Sequence, residues 1–160
     1  MSAAPTRAWP DLAGRLDVTA SGRSHILPVR VYFEDTDFSG LVYHASYVRW
    51  CERGRSDFLR LIGNDHHALM QGSGNAEPAA FVVRRMQLEY LKPARIDEVL
   101  EVTTRVKQLG AATLVLDQRI ARDGATLFEA EVTVVLVSQG GRVLRLSKAL
   151  RDAMSTTARE

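Results

Sequence analysis

The feature of this sequence that most constrains its fold is a change of hydrophobic period along the chain. Residues 45–62 repeat apolar side chains at helical spacing, in a stripe formed by Tyr47, Cys51, Gly54, Phe58 and Leu61. Elsewhere the dominant period is two, which is typical of strands. The predicted strands are residues 25–33, 81–90, 99–109, 113–120, 127–137 and a short last one at 142–146. This order predicts an α+β fold in which an antiparallel sheet wraps around one long central helix.

Turn residues and side-chain alternation refine this prediction. Asp123-Gly124 and Gly140-Gly141 are turn signals between strands, because these residues tolerate positive φ. In the strand at 81–90, alternation places one apolar set on a single face, interrupted by Arg84; the set is Val82, Met86, Leu88 and Tyr90. Gly54 costs about 1 kcal/mol relative to alanine inside a helix, so we expect the backbone of the sheet to approach that turn closely.

The chain is interpreted as one domain with a short extension at each end. Residues 1–22 are rich in Ala, Gly, Pro and Ser and are predicted to form a flexible arm. The domain is assigned to residues 23–152, ending in a helical segment, and residues 153–160 form a polar tail. The polar connection at 63–78 is predicted to be a lid or surface loop with a short helical turn at 67–71.

Composition excludes several classes of function. A formal charge of +2 is too small for a nucleic-acid binder, which needs a dense basic stripe. The chain has neither the roughly 18 unbroken apolar residues of a membrane span nor the apolar block of a secretory signal, so we expect a cytoplasmic protein. The single cysteine, Cys51, excludes a cysteine-based metal cluster and is expected to be buried. Because one helix covers only one face of the sheet, the other face is expected to be covered by a second subunit.

The segment between the first predicted strand and the helix concentrates charged and aromatic residues. Its carboxylate Asp37 has three possible uses. Asp35, Asp37, Ser39 and Gly40 match the first positions of a calcium-binding loop, although Ser46 stands where that loop needs glutamate. Asp37 could instead attack a thioester or activate water while N–H groups of the helix start hold the carbonyl oxygen. A turn or N-cap carboxylate is the third possibility.

The same segment carries a resemblance to a known family. The run EDTDFSGLVYHASY at residues 34–47 closely resembles the signature of the 4-hydroxybenzoyl-CoA thioesterase family, in particular its Tol-Pal-associated, YbgC-type acyl-CoA thioesterase branch. The runs AFVVRRM at 80–86, EY at 89–90 and PAR at 93–95 also resemble that branch, and the similarity extends over residues 28–150. The chain departs from the branch in an insertion around 71–77 and in Ser147, where proline is usual.

The resemblance implies a hotdog fold, a dimer or a tetramer built from dimers, and hydrolysis of acyl-CoA to free acid and CoA. It matches the motif's second aspartate to Asp37, as nucleophile or general base, and assigns the carbonyl-polarising backbone N–H to His44, whose side chain assists. Tyr43 and Tyr47 are expected to shape the pocket, and Gly40 to let the loop bend.

The sequence also offers candidate contacts for CoA and a possible partner. Arg84 and Arg85 are candidate contacts for the phosphates of CoA, since basic pairs suit a phosphorylated handle. No metal or cofactor is expected, because CoA is part of the substrate, and acyl carrier protein is a possible partner. Two alternatives remain open: a hotdog hydratase or dehydratase acting on 3-hydroxyacyl thioesters, with Asp37 and His44 as an acid/base pair, and a non-catalytic adaptor that binds acyl-CoA or acyl carrier protein.

Overall fold

The computed structural model of the chain describes residues 14–20, 22–72 and 77–155. Its elements in chain order are β1 (Arg15–Thr19), β2 (Gly22–Arg30), a 3₁₀ turn (Phe33–Asp35), α1 (His44–Leu61), α2 (His66–Gln71), β3 (Ala79–Tyr90), β4 (Val99–Leu109), β5 (Thr113–Arg122), β6 (Ala125–Ser138) and α3 (Lys148–Met154). The strands form one antiparallel sheet in the order β1-β2-β4-β5-β6-β3. The long helix α1 packs on one face of this sheet, which confirms the predicted α+β architecture.

Local turn chemistry explains why the strands join as they do. Asp123 and Gly124 have φ of 49° and 80° and form the two-residue link between β5 and β6, as predicted. Gly141, at φ 83°, forms the next turn. The strand predicted at 142–146 is wrong, because beyond this turn only a single bridge joins Val143 to Val137. The chain then leaves β6, and the N–H of Leu146 donates to the carbonyl of Ala111 before α3 begins.

The predicted arm at 1–22 is corrected where the structure describes it. Residues 15–19 form β1, which pairs with β2 at the edge of the sheet. Residues 1–13 and 21 lie outside the described residues. At the other end α3 continues to Met154, which is fully buried, so the domain extends beyond residue 152. The sequence RLDVT alternates polar and apolar residues over only five positions, and its strand form depends on pairing with β2.

Strand β3 contains a β-bulge that corrects the predicted face assignment. The pairing with β6 shifts register between Val83 and Arg85, so Arg84 is the extra residue. Val83 therefore lies opposite Val134 on the face towards α1, and Val82 lies on the opposite face from Met86. The extra residue Arg84 shifts the alternation by one position, and this shift changes which side chains face the core.

The core lies between α1 and the sheet. Trp50, Cys51 and Phe58 of the helix are buried against β-strand side chains such as Leu100 and Ile120. Gly54 allows this close approach, because an added Cβ would lie 3.0 Å from the Thr104 hydroxyl. The sequence predicts an approach of the sheet backbone to this glycine. This prediction is wrong, because the atoms nearest to an added Cβ belong to side chains of the sheet.

The outer face of the sheet is not the surface that a second subunit is needed to cover. The outer face of the sheet carries exposed charged residues such as Arg105, Asp117 and Arg119, so this face needs no apolar cover. Apolar exposure instead occurs on the edge strand β3, where Leu88 and Tyr90 are exposed. Among the residues that the structure describes, no helix is long and apolar enough to cross a membrane.

Candidate active site

The loop between β2 and α1 is held in a fixed shape by Asp35. This residue is buried, and its Oδ2 accepts a hydrogen bond of 2.8 Å from the N–H of Tyr32. Its backbone carbonyl accepts a 2.7 Å bond from the N–H of Tyr43 and a 3.3 Å bond from the Ser46 hydroxyl. Asp35 therefore closes the loop on itself and places the start of α1 directly beside the turn that carries Asp37.

Asp37 lies in a tight turn closed by Gly40. The N–H of Gly40 donates to the carbonyl of Asp37, and the N–H of Asp37 donates to that of Leu41, each at 3.0 Å. Gly40 has φ of 78° and its position has open space around it, so the turn needs glycine for its backbone conformation and not for lack of room. The resulting turn carries the Asp37 carboxylate on the surface of the chain.

Ser39 orients the Asp37 carboxylate and keeps it ionised. Oδ1 of Asp37 accepts one hydrogen bond from the Ser39 hydroxyl at 2.5 Å and one from the Ser39 N–H at 2.8 Å. These two bonds lower the pKa of Asp37 below its ordinary value, and a smaller lowering comes from His44. The carboxylate is therefore negative at neutral pH, as a nucleophile or general base must be, and its Oδ2 points away from these bonds.

His44 is the first residue of α1. Within the described part of the chain, no group accepts from the backbone N–H of His44 or of Ala45, so this helix start offers two free donors. The imidazole lies over the ring of Tyr43, with 4.3 Å between the ring centroids. The His44 carbonyl accepts a 2.8 Å hydrogen bond from the hydroxyl of Tyr90, which links β3 to the same junction.

Tyr43 and Tyr47 have different surroundings. Tyr43 is partly exposed beside the loop, whereas Tyr47 is buried and its ring stacks on Phe128 at 5.2 Å between centroids. The Tyr47 hydroxyl accepts a 3.1 Å bond from the N–H of Ala94. In the single chain Tyr47 thus supports the neighbouring segment at 91–98 from within the core and does not reach the surface of the loop.

Arg84 and Arg85 are not brought to this junction. Both are exposed on β3, and no described residue forms a hydrogen bond or ion pair with either side chain. Tyr90 marks the end of β3 near His44, and Arg85 lies five residues back along the strand, or about 17 Å. The structure therefore gathers Asp37, Gly40, Tyr43 and His44 at one place and leaves the two arginines on another part of the same chain.

The single chain does not enclose Asp37. Its carboxylate is exposed, and it lines none of three clefts that the described residues form. Large side chains beside it are also exposed, with Phe38 fully so and Phe33 81% exposed. Leu91 and Ile96 belong to the adjacent segment, which is joined to the loop by a 2.9 Å bond between the N–H of Val42 and the carbonyl of Ala94. Large exposed apolar side chains on neighbouring segments are typical of an interaction surface.

The calcium alternative finds no geometric support. No three metal-binding side chains of the His, Cys, Asp or Glu type cluster within residues 14–20, 22–72 and 77–155. The element before the loop is strand β2, where a calcium loop of this type needs an entering helix. One oxygen of Asp37, Oδ1, already accepts two hydrogen bonds from Ser39.

Ser39 and Asp35 are the residues whose roles the sequence reasoning missed. Both had been considered only as calcium ligands, whereas Ser39 holds Asp37 and Asp35 closes the loop. The available signal was the spacing Asp-x-Ser before a glycine, which is typical of a local turn in which the aspartate accepts bonds from the residue two positions on. Tyr90 gave no comparable signal, since its contact with His44 spans 46 residues of sequence.

Comparison with known proteins agrees with this architecture. A family model described as the thioesterase superfamily matches residues 39–129, a span that begins two residues after Asp37. The chain is 50% identical over 111 residues to the acyl-CoA thioester hydrolase YbgC of Escherichia coli, covering 69% of this chain and 79% of that protein. It is 38% identical to the acyl-CoA thioesterase YbgC of Haemophilus influenzae, covering 71% and 80% of the two chains.

A solved structure gives the same result for the fold. The probable thioesterase of Bartonella henselae superposes with a TM-score of 0.75 at 40% identity, covering 78% of this chain and 99% of that one. The sheet, its single long helix and the loop ahead of that helix together define a hotdog-fold protein, as predicted. The chain belongs to the thioesterase superfamily.

Proposed function

We propose that this protein hydrolyses the thioester of acyl-CoA to a free acid and CoA. The observation that carries the proposal is one junction that holds both parts of the chemistry: the ionised carboxylate of Asp37 and the unoccupied N–H groups at the start of α1. A reacting carbonyl between them meets a nucleophile on one side and donors for its oxygen on the other. Membership of the thioesterase superfamily supports this choice of reaction.

The chemistry can be written through two routes. In the first, Oδ2 of Asp37 attacks the carbonyl carbon, the C–S bond breaks, CoA leaves as thiolate and takes a proton, and water hydrolyses the resulting anhydride. In the second, Asp37 takes a proton from water as its oxygen attacks the carbon directly; the C–S bond then breaks, and CoA leaves as thiolate and takes the proton from Asp37. In both routes the N–H of His44 would hold the negative charge on the carbonyl oxygen, and the imidazole of His44 would assist.

A second copy of the chain completes the proposed site. Asp37 is exposed in the single chain, and the apolar rim formed by Phe33, Phe38, Leu91 and Ile96 needs a cover. Strand β3 is an edge strand of 12 residues, which offers unpaired backbone groups to another chain. A homodimer formed at this edge, and a tetramer built from two such dimers, would bury these groups.

This arrangement also gives a use for the two arginines. Arg84 and Arg85 lie on the edge strand β3, away from the junction of their own chain, so in the proposed dimer they would contact the CoA phosphates of the neighbouring site. The proposed reaction needs no metal or cofactor. Acyl carrier protein is the proposed alternative carrier of the acyl group, and the cytoplasm is the proposed location.

A panel of acyl-CoA substrates with different acyl groups, assayed by release of free thiol, tests the reaction. Asp37→Asn should lower kcat by at least about a hundredfold with little change in KM, because a contact of the transition state is lost and ground-state binding is kept. Glu34→Gln is the matched control, since Glu34 is an exposed carboxylate of the same loop. Equal activity of Asp37→Asn and wild type would reject Asp37 as the catalytic carboxylate.

The same assay separates the remaining functions. A hydratase consumes its substrate without releasing CoA, and an adaptor binds acyl-CoA without turnover, so either result would reject hydrolysis. His44→Ala should cost less than Asp37→Asn, because the backbone donor remains after the side chain is removed. Turnover in heavy-oxygen water followed by mass spectrometry of the peptide that contains Asp37 tests the first route: label in Asp37 requires an anhydride that water attacks at the Asp37 carbon.

A further inference from the structure

A cleft separate from the Asp37 junction lies between α1, α2 and the sheet. Its floor is apolar and includes Phe58, Phe81, Leu114, Leu116 and Val134. The cleft has a volume of about 130 Å³. A cavity of roughly 150 Å³ with similar lining accepts benzene, so the body of a ligand here would have about six carbons. The lining includes no residue of the loop between β2 and α1 and none of the first two turns of α1.

Arg55 brings a positive charge to the apolar cleft. Its side chain is partly buried, and its Nη1 donates a 2.9 Å hydrogen bond to Oε1 of Gln118. Within the described residues this neutral amide is its one hydrogen-bond partner, and no carboxylate forms an ion pair with it. Burial lowers the pKa of Arg55 from its ordinary value, which reflects the cost of removing the charge from water. A guanidinium has five N–H donors, so most of its donors remain for a ligand.

Among the described side chains that line the cleft, Glu52 is the one carboxylate and therefore opposes a negative ligand. The Ser56 hydroxyl donates a 2.5 Å hydrogen bond to Oε1 of Glu52 and lies 3.0 Å from Nε2 of His66. The Glu52 carboxylate thus lies at the rim, with one oxygen already bonded. An anion gains by binding here only where its charge reaches the guanidinium, which lies deeper than Glu52.

We propose that this cleft is a binding site for a small monocarboxylic acid with an apolar body of about six carbons, whose carboxylate pairs with Arg55. Planar carboxylates match the two parallel N–H donors of a guanidinium, and such a pair compensates the desolvated charge of Arg55. The argument uses nothing from the proposed hydrolysis at Asp37. The site and the reaction can therefore fail independently of each other.

Calorimetric titration of the full chain with hexanoate tests the proposal, with hexanamide and hexanol as uncharged controls of the same length. Hexanoate should bind at least about tenfold more tightly than either control, which is the scale of one charge-assisted hydrogen bond. Arg55→Gln should remove this preference. Arg53→Gln is the matched control, because Arg53 is an exposed arginine on the same helix with no bond to a described residue, and it should leave binding unchanged.

A second variant moves the affinity in the opposite direction. Glu52→Gln removes the opposing charge at the rim and should tighten hexanoate binding severalfold without changing the binding of hexanamide. If Arg55→Gln does not fold, this variant and the comparison of hexanoate with hexanamide on the wild type still decide the question. Equal binding of the charged and uncharged ligands would overturn the proposal.

Backbone NMR shifts locate the bound acid. On titration with hexanoate, the shifts should move at β5, β6 and the middle of α1, around Leu116, Val134 and Arg55. Shifts confined to the loop at 36–44 would place the acid at the Asp37 junction instead and would overturn the assignment of this cleft. Loss of thioesterase activity in Asp37→Asn with hexanoate binding unchanged would show that the two sites are separate.

Discussion

Replacing Gly54 by alanine should destabilise this protein, although the same change usually stabilises a helix. Gly54 lies in the middle of α1, on the face that packs against the sheet. An ideal Cβ at this position would lie 3.0 Å from the Thr104 hydroxyl, 3.1 Å from Cγ1 of Val102 and 3.3 Å from Nε2 of Gln118. All three neighbours belong to buried side chains of β4 and β5, which have little freedom to move away.

The magnitude follows from two opposing effects. Alanine in place of glycine favours a helix by about 1 kcal/mol. Forcing an extra carbon into a packed core costs about 1–3 kcal/mol. The clash also disturbs Gln118, whose Nε2 donates at 2.9 Å to the Cys51 carbonyl and at 2.8 Å to the Thr104 hydroxyl, and weakening one such bond costs about 1 kcal/mol more. We therefore expect a net loss of about 1–3 kcal/mol in the free energy of unfolding.

Urea unfolding followed by circular dichroism measures this difference, with the slope of the transition checked for constancy. Gly140→Ala is the control for the added methyl group, because an added Cβ there meets only the Ser138 hydroxyl, at 3.9 Å. It should change the free energy of unfolding by no more than about 0.5 kcal/mol. A gain of about 1 kcal/mol for Gly54→Ala, as at an exposed helix position, would refute the close packing of α1 on the sheet.

Three further predictions concern ionisable groups. Ser39→Ala removes the hydrogen bond of the hydroxyl to Asp37, so the pKa of Asp37 should rise and the acidic limb of the pH profile of kcat/KM should move to higher pH. Partial burial raises the pKa of Asp57. Its hydrogen bonds, of which the one with His25 has the largest effect, outweigh burial and hold the pKa below its ordinary value of 3.8. A lowered pKa means that the ionised Asp57 stabilises the folded state; this stabilisation is present above pH 3.8 and is lost as the pH falls through the folded-state pKa. Asp57→Asn should therefore have a lower free energy of urea unfolding than wild type at neutral pH, and the difference should narrow in acid. Burial raises the pKa of Cys51 to about 12, so a thiol reagent at pH 8 should label it only after unfolding, and labelling of the folded protein would contradict its burial.

The elements that depend on local patterns were predictable from the sequence. The stripe that includes Tyr47 and Phe58 indicated α1, which the structure places at His44–Leu61. Asp123-Gly124 indicated the β5–β6 hairpin, because a two-residue link with positive φ strongly favours this pair. Such signals lie within a few residues of the feature that they determine, so the sequence displays them directly.

Features that depend on distant pairing were not visible in the same way. Strand β1 has only five residues and becomes a strand because β2 provides its partner. The bulge at Arg84 is defined only by the register with β6, so alternation alone placed Val82 on the wrong face. In the same way, nothing near Gly54 showed that side chains of β4 and β5, and not the backbone, would approach it.

The candidate site likewise contains some residues that are close in sequence and others that only the fold brings together. Asp37, Gly40 and His44 lie within eight residues of one another, and a sequence motif can therefore report them. What surrounds them is not in that segment. Ser39 was close enough to be noticed, but its role depends on a hydroxyl rotamer, and the contact of Tyr90 with His44 is set by the whole path of β3. The cleft beside Arg55 combines two helices and three strands, which no local pattern could indicate.

Electrostatics explain why the proposed catalytic parts need an enclosing surface. Opposite charges 4 Å apart attract by about 1 kcal/mol in bulk water and by about 4 kcal/mol at the effective dielectric constant of a protein surface. An oxyanion donor that acts in a water-free site contributes about 3–4 kcal/mol to lowering a barrier. In the single chain Asp37 and the free N–H groups of α1 face solvent, where water competes for both. On the proposed mechanism, the chain thus supplies the position of the reacting groups, while most of their energetic effect depends on a second surface that removes water from the junction.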